Sequence, residues 1–397
     1  MRVLILEDSP QLGGVQHSTL NLVIGWKAAR STMEPILLLP GEGEFSVLCR
    51  SRGIPYLLYK KVPLASSSLS FLQDKLRVPN LTGLFYNYFL LRKQLTFLLP
   101  LVKDLRPDIL LTKGMGAHIS GGRVSRILKI PCVWHLQDLI SERYGGFYKR
   151  FFGHEVAQFA SACIADGYSI KAQLPSSLHD QCSVIFNGVD MEEFYMPNRR
   201  NDLRNQLGIP EDAYVIGNFA RIVPWKGQDI LLEAFIRYSA KNRNAHLILI
   251  GSPLFAEESF FLKLKTIVAE KGLNNRVHFT GYLIDPGPTL SAMDLFVYPS
   301  VEKDTSPLAL ISAMSAGLPI ATSDIAGLSE MFDGIDGIEI FETRNVDAIV
   351  RLLYKMEDRD LREYGGWQAR KLAKERFSKE RYVEQVTKVL AMVGGEI

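Results

Sequence analysis

Short, continuously apolar segments recur along the chain, and stretches long enough to form a helix separate them. One series occupies residues 2–6, 35–39, 55–59, 108–112, 132–135, 162–165 and 183–186, and a second occupies 214–218, 246–250, 276–280, 295–298, 319–322 and 338–341. Apolar runs without polar alternation are typical of parallel strands that are covered on both faces. Turn residues separate the two series near 187–201. The pattern predicts an α/β chain with two Rossmann-like, doubly wound domains, 1–195 and 196–378.

The length and composition agree with two domains. The chain has 397 residues, of which 47% are hydrophobic, and a chain of this size can bury a large core. The formal net charge is +3, but residues 1–190 carry 21 Lys and Arg against 14 Asp and Glu. A basic first half suits an anionic acceptor or an anionic membrane surface, and it equally suits a scattered, solvated surface.

Several features predict a cytoplasmic protein. The four cysteines are far apart and form no CxxC pair, which is typical of reduced thiols. Residues 81–101 are the most apolar stretch, but Arg92 and Lys93 interrupt it, so it does not resemble a membrane span. With Lys60, Lys61 and Arg77 it combines aromatic and cationic residues. It is either a peripheral contact of the first domain with the inner face of the membrane or an ordinary amphipathic helix.

The stretch from Tyr298 to Pro319 predicts an anion-binding site. A strand ends at Tyr298, a polar loop follows, and a helix is expected at 306–316, with Ser306 as its cap and Pro307 in its first position. The amide groups of Leu308 and Ala309 would then face the carboxyl edge of the sheet. In open α/β sheets ligands bind at that edge, and a helix N-terminus favours phosphate.

Two cations follow the strand at 214–218 and belong to the same edge. Arg221 and Lys226 lie in the loop beyond it. Isolated loop cations are usually solvated, but here both can hold a diphosphate, Arg through a planar fork and Lys as a point charge. Together they would stabilise the negative charge that develops on a departing nucleotide diphosphate.

The order of several motifs extends this picture over nearly the whole chain. They begin at Gly13, Trp134, Asn187, Arg221, Gly251, Val277, Asp294 and Ala313. In this order the chain resembles the retaining glycosyltransferases of family 4. The resemblance implies the GT-B fold, in which two domains face a central cleft and the C-terminal helix, here 379–397, completes the first domain. It also implies a nucleotide-diphosphate sugar as donor and a glycan or lipid-linked acceptor.

The resemblance also implies roles for individual residues. Arg221 and Lys226 match the pair that holds the donor diphosphate, and Asp304 matches an acid near the donor sugar. His135 matches the histidine beside the transferred sugar, although a lone histidine after an apolar strand is more often packed in the core. The remaining donor-binding positions that it implies are Gly13, Gly14, Gly251, Tyr282, Ser306, Leu308, Ala309 and Ser312.

The chain departs from the family where the family carries Glu-x7-Glu. Asp304 and Ser312 occupy those two positions. Asp304 keeps the charge on a shorter side chain, whereas Ser312 offers one hydroxyl in place of a carboxylate, which puts ribose binding in question. Glu302 lies two residues before Asp304 and either substitutes for an acid or is solvated.

Two functions from different classes remain open. The first is a retaining hexosyl- or N-acetylhexosaminyltransferase of polysaccharide or glycoconjugate synthesis, with UDP favoured over GDP and no metal, other cofactor or nucleic acid required. The second is a catalytically inactive GT-B subunit that binds a nucleotide or glycan, for which Ser312 is the main support. A Rossmann oxidoreductase is disfavoured because Gly13 and Gly14 are not part of a GxGxxG motif.

Overall fold

A computed structural model describes residues 1–65, 68–71, 76–140, 146–253, 257–283, 285–302, 304–332 and 334–395. The chain divides into two compact units, one formed by residues 1–185 with 383–397 and the other by 186–382. None of the helices within the described ranges combines the length and the apolar content needed to cross a bilayer.

The first unit is built on a parallel sheet flanked by helices. Its strands are β1 Arg2–Glu7, β2 Glu34–Leu39, β3 Tyr56–Leu58, β4 Ser68–Phe71, β5 Leu76–Pro79, β6 Ile109–Lys113, β7 Cys132–Leu136, β8 Ala162–Ala165 and β9 Cys182–Val184. Its helices are α1 Gly14–Ala28, α2 Glu44–Ser51, α3 Leu81–Leu105, α4 Met115–Leu128, α5 Phe147–Phe159 and α6 Tyr168–Lys171. Among the described residues the parallel strands follow the order β3-β2-β1-β6-β7-β8-β9, and β4 pairs with β5 in an antiparallel hairpin. The predicted parallel strands are present, within about two residues at each end.

The second unit repeats this architecture. Its strands are β10 Tyr214–Phe219, β11 Ala245–Ile250, β12 Val277–Gly281, β13 Leu295–Tyr298, β14 Ile320–Ser323 and β15 Glu339–Phe341. Its helices are α7 Arg200–Leu207, α8 Gln228–Ser239, α9 Glu258–Glu270, α10 Gly287–Ser291, α11 Leu308–Ser315, α12 Ala326–Ser329, α13 Val346–Lys355, α14 Arg359–Arg376 and the start of α15 Lys379–Gly394. The sheet order is β12-β11-β10-β13-β14-β15, and every described pairing is parallel. Apolar side chains cover both faces of this sheet, as the continuous apolar runs predict.

The junction between the units falls after Ile185, whereas the sequence pattern placed it after residue 195. Residues 186–195 belong to the second unit because their apolar side chains, Val189, Met191 and Phe194, are buried in its core. The N–H of Val189 also donates to the carbonyl of Phe377 at 3.0 Å.

The last helix, α15, returns the chain to the first unit from Val383 onward. Within that unit the Trp26 indole donates to the Thr387 hydroxyl at 2.7 Å. A Cβ at Gly25 would lie 2.4 Å from the side chain of Val383, so the absence of a side chain there permits α1 and α15 to pack closely.

Candidate functional site

Glycine residues bring three loops together at the carboxyl edge of the second sheet. Gly251 follows β11 with φ of 137°, and a Cβ there would lie 2.0 Å from the carbonyl oxygen of Ala220. Gly227 follows the loop after β10 with φ of 70°, and a Cβ there would lie 2.0 Å from the carbonyl oxygen of Pro299. Both positions require glycine because a side chain would be strained and would collide with backbone. Gly251, predicted as a donor-binding residue, therefore shapes the edge through its backbone.

Lys226, Asp304 and Tyr298 form a polar triangle where these loops meet. The Lys226 ammonium donates to the Tyr298 hydroxyl at 2.8 Å and forms an ion pair with the Asp304 carboxylate. The Tyr298 hydroxyl lies 2.8 Å from the same Asp304 oxygen, to which it donates. Lys226 is only 8% exposed, and charged hydrogen bonds are stronger than neutral ones. The structure thus brings two predicted site residues into contact.

Tyr298 is the member of this triangle that the sequence pattern did not predict. Burial and the charge of Asp304 raise the pKa of Tyr298 well above its ordinary value, so its hydroxyl stays protonated. Its position at the end of β13, beside the predicted loop, was a signal that it faces the site.

Arg221 lies close to the triangle but on the solvent side. Arg221 is exposed, and its guanidinium carbon lies 5.8 Å from the ring centroid of Trp225. The positive charge of Arg221 acts on Tyr298 to lower its pKa, against the larger rise that burial causes. Arg221 and Lys226 both lie in the segment between β10 and α8, so both predicted cations belong to the same edge of the sheet.

The N-terminus of α11 points two amide groups at the same edge. The helix begins at Leu308, two residues after the predicted start. The backbone N–H groups of Leu308 and Ala309 have no hydrogen-bond partner among the described residues, and both residues are partly exposed. Amides of the first helical turn attract anions because they carry the positive end of the helix dipole.

The prediction that Ser306 caps this helix is wrong. Ser306 adopts φ of 46°, in the left-handed region, and Pro307 precedes the first helical residue. The Ser306 hydroxyl accepts a hydrogen bond from the N–H of Asn187 at 2.6 Å, and its carbonyl accepts one from the Asn187 side chain at 3.0 Å. Asn187 is remote in sequence, so no local pattern could indicate this contact. Ser306 anchors the loop before α11.

The other predicted positions of this unit differ in exposure. Ser312 is buried in the second turn of α11, whereas Tyr282 is exposed just after β12. Glu302 is exposed, and its carboxylate lies 3.7 Å from the Arg344 guanidinium. Its position fits the solvated reading of Glu302 rather than an acid inside the triangle.

In the first unit, Gly13 and Gly14 form the start of α1 at the carboxyl edge of the sheet. Gly13 precedes the helix with extended φ of −157°, and Gly14 is its first residue. A Cβ at Gly14 would meet no atom within 4 Å. The fold therefore does not demand glycine at position 14, and open space lies beside its backbone.

His135 lies inside the first unit rather than at its surface. It is 0% exposed, and its Nε2 lies 2.7 Å from the Asp166 carboxylate. Burial lowers the pKa of His135, and the Asp166 charge only partly offsets this effect. The geometry matches a packed core histidine, the alternative to the sugar-binding role that the resemblance implies.

Gln137 lies two residues after His135 and one residue beyond the end of β7. It is on the same side of the sheet as His135. Its Nε2 donates to the Ser18 hydroxyl at 3.1 Å and to the Asp166 carboxylate at 3.0 Å. Its Oε1 is buried and has no hydrogen-bond partner among the described residues. Because the donors fix the amide orientation, an unpaired acceptor is held in place at the strand end. The sequence pattern missed Gln137, although its place after an apolar strand was a usable signal.

Charged side chains lie buried beside Gln137. Lys113 is 0% exposed and donates to the Ser18 hydroxyl at 2.7 Å, and it pairs in register with Glu7 across β1 and β6. Burial lowers the pKa of Lys113 to about 8, partly offset by Glu7 and Asp166. Burial likewise raises the pKa of Glu7, partly offset by Lys113. These opposite charges compensate one another inside the unit.

Comparison with known families identifies the family to which the second unit belongs. Residues 199–372 match the family model of the glycosyl transferases group 1. These residues belong to that family. The match covers the edge that carries Arg221, Lys226, Asp304 and the N-terminus of α11. The chain is therefore a glycosyltransferase that takes its sugar from a nucleotide sugar.

Relatives of this glycosyltransferase include enzymes and proteins of unassigned activity. The Escherichia coli UDP-Gal:alpha-D-GlcNAc-diphosphoundecaprenol alpha-1,3-galactosyltransferase is 25% identical over 350 residues, which are 83% of this chain and 84% of the relative. An uncharacterised glycosyltransferase of Methanocaldococcus jannaschii is 26% identical over 290 residues, which are 68% of this chain and 72% of the relative.

Solved structures identify the fold of this glycosyltransferase as GT-B. The Anabaena protein HepE, whose structure is in complex with UDP and glucose, superposes with a TM-score of 0.81 at 23% identity. The superposition covers 98% of this chain and 99% of HepE. Two parallel-sheet, Rossmann-like domains are thus established for this glycosyltransferase, as the apolar pattern predicts.

Proposed function

We propose that this glycosyltransferase is a retaining enzyme that transfers a hexosyl or N-acetylhexosaminyl group from a UDP-sugar to a glycan or lipid-linked acceptor. The observation that carries the proposal is the positive edge of the second unit. There, Arg221 and Lys226 follow β10, and the amides of Leu308 and Ala309 begin the helix that follows the neighbouring strand β13, an arrangement that favours a diphosphate at this edge. The Escherichia coli relative uses UDP-Gal and a diphosphoundecaprenol-linked acceptor, which supports UDP and a lipid-linked acceptor here.

The proposed chemistry places positive charge where the leaving group becomes negative. As the bond from the anomeric carbon to the diphosphate breaks, Lys226, Arg221 and the α11 amides stabilise the oxygen that departs. The acceptor hydroxyl attacks the anomeric carbon from the same face and passes its proton to that phosphate oxygen. Asp304 orients Lys226 and contacts the donor sugar, and the Ser312 hydroxyl offers one hydrogen bond to the ribose.

In the first unit we assign the sugar contact to Gln137. Its Oε1 is a buried, oriented acceptor without a partner among the described residues, so a sugar hydroxyl can satisfy it. His135 supports this arrangement indirectly, because it and Gln137 contact the two oxygens of the same Asp166 carboxylate. Gly14 leaves its backbone open to the donor.

Two measurements test the donor and the stereochemistry. A panel of UDP- and GDP-sugars should raise the melting temperature only for the true donor, because a ligand at 100 times its dissociation constant adds about 2.7 kcal/mol. With that donor, proton NMR of the first-formed product should show the anomeric configuration of the donor. An inverted product would reject the retaining mechanism, and stabilisation by GDP-sugars alone would reject UDP.

Metal independence is part of the proposal, since cations and a helix N-terminus supply the field that other transferases obtain from a metal. Transfer should continue in excess EDTA. Complete loss of transfer that magnesium or manganese restores would contradict it. Nucleotide binding without any transfer or hydrolysis, with every donor tested, would instead favour the inactive-subunit function, which the replacement of the second family Glu by Ser312 supports.

A further inference from the structure

Helix α3 carries aromatic side chains on its solvent-facing side. Phe85, Tyr86, Tyr88 and Phe89 are each more than half exposed, and Phe85, at 70%, is the most exposed of the large hydrophobic side chains described. Phe85 and Phe89 pack edge to face with centroids 5.4 Å apart, and Tyr88 packs on Phe89 at 5.7 Å. The exposed side of a domain helix is normally polar, so a contiguous aromatic cluster there indicates a contact surface.

The opposite side of α3 is fixed against the first unit. Leu98 and Val102 are buried in its core. The Gln94 side chain accepts the N–H of Val62 at 2.6 Å and donates to the carbonyl of Lys60 at 3.1 Å. The Asn87 side chain forms the same two bonds with Ala65, at 2.7 and 3.0 Å. With 3.6 residues per turn, these anchors hold Phe85 and Phe89 away from the core.

Cations adjoin the aromatic cluster. Arg92 and Lys93, about two turns after Phe85 and Tyr86, are exposed, and the Arg92 guanidinium carbon lies 5.0 Å from the Tyr88 ring centroid. Lys60 stands 5.2 Å from the centroid of Phe97 on the same helix. Acids are scarce on α3 itself, whose residues 81–105 contain Arg92, Lys93 and Lys103 against Asp104 alone.

We propose that the surface formed by Phe85, Tyr86, Tyr88, Phe89, Arg92 and Lys93, termed the α3 surface, binds an anionic lipid bilayer. Aromatic rings favour the boundary between acyl chains and headgroups, and Arg and Lys beside them attract anionic headgroups. The excess of positive charge selects this partner over a second copy of the chain, because two like-charged surfaces repel each other. The α3 surface shares no residue with the proposed transfer site and does not depend on the proposed donor.

Cosedimentation of the purified full chain with lipid vesicles tests the α3 surface. The protein should bind vesicles that contain phosphatidylglycerol, bind pure phosphatidylcholine far more weakly, and dissociate at high salt. The double variant Phe85→Ser, Phe89→Ser should lose at least about tenfold in partition coefficient, and so should Arg92→Gln, Lys93→Gln. The matched control is Leu262→Ser, which removes a side chain that is 61% exposed on the second unit and should leave binding unchanged.

Three other results of these experiments would contradict the proposal that the α3 surface binds a bilayer. Absence of binding to anionic vesicles, or equal binding by the variants and the unsubstituted chain, would overturn the proposal. Dimerisation in size-exclusion chromatography that Phe85→Ser, Phe89→Ser abolishes would assign the α3 surface to a second copy instead. Melting temperature and nucleotide binding should match across all variants. A defect in nucleotide binding alone would concern the transfer site and not the α3 surface.

Discussion

At the scale of single residues, the triangle of Lys226, Asp304 and Tyr298 explains how the Lys226 side chain is held in one position at the proposed diphosphate site. The carboxylate compensates the ammonium inside the protein, and the Tyr298 hydroxyl contacts both groups. A lysine held in this way is already oriented before the donor arrives. Such preorganisation lowers the cost of stabilising charge in the transition state.

The variant Tyr298→Phe should therefore slow turnover about fivefold, the equivalent of losing one hydrogen bond of about 1 kcal/mol. Donor binding should change less than turnover, because the loss concerns the orientation of Lys226. Tyr238→Phe is the matched control, since it removes a buried hydroxyl that donates to Glu357 at 2.7 Å in the same unit. Equal turnover by the two variants would show that Tyr298 only supports the fold.

Gln137 offers a second test at this scale. Gln137→Ala removes the oriented Oε1 and should lower kcat/KM about tenfold, the effect of leaving a sugar hydroxyl without its acceptor. Gln173→Ala is the control, because Gln173 lies in the same unit and bonds only the backbone of Ile140 in the described contacts. If both variants keep native kcat/KM, Gln137 does not contact the substrate.

At the scale of elements, the sequence predicts most strands because a strand of a covered parallel sheet is apolar throughout. The hairpin of β4 and β5 was missed because Ser68–Phe71 alternates polar and apolar residues, a pattern that a search for continuous runs passes over. The start of α11 was misplaced because Ser306 is held by Asn187, a contact that spans the unit. Local signals predict elements well and predict non-local anchors poorly.

Neighbouring strands β11 and β12 carry a stacked histidine pair that makes stability depend on pH. His246 Nδ1 lies 3.1 Å from His278 Nε2. Burial, with the charges of His278, Arg276 and Arg204, lowers the pKa of His246 to about 4. The folded state thus favours the neutral ring, while the unfolded chain titrates near 6.5. The neutral His246 ring therefore contributes fully to the free energy of unfolding above about pH 6.5, and this contribution is lost as the pH falls toward 4.

The variant His246→Gln should accordingly show a smaller drop in melting temperature between pH 6.5 and 4.5 than the unsubstituted chain. Thermal unfolding followed by circular dichroism at several pH values measures this difference. Parallel curves for the two proteins would mean that His246 does not bind protons differently in the folded and unfolded states.

At the scale of the whole molecule, the two sheets could be predicted, but the exact division of the chain could not. Residues 186–195 carry both turn signals and core residues, and only packing decides that they belong to the second unit. The positive edge of that unit was predictable because strand ends and helix starts converge there in any open α/β sheet. The burial of His135 could not be predicted in the same way. The sequence does not reveal which side chain near the end of a buried strand points out of the core.

The most direct test of the whole account is the turnover of Lys226→Ala with the identified donor. We expect a loss of about 100-fold or more in kcat, with little change in the KM of the acceptor, because the ammonium acts on the departing diphosphate. Lys241→Ala, an exposed lysine of the same unit, is the control, and assays run below the melting temperature of every variant. Near-native turnover by Lys226→Ala would contradict the claim that this edge holds and stabilises the diphosphate.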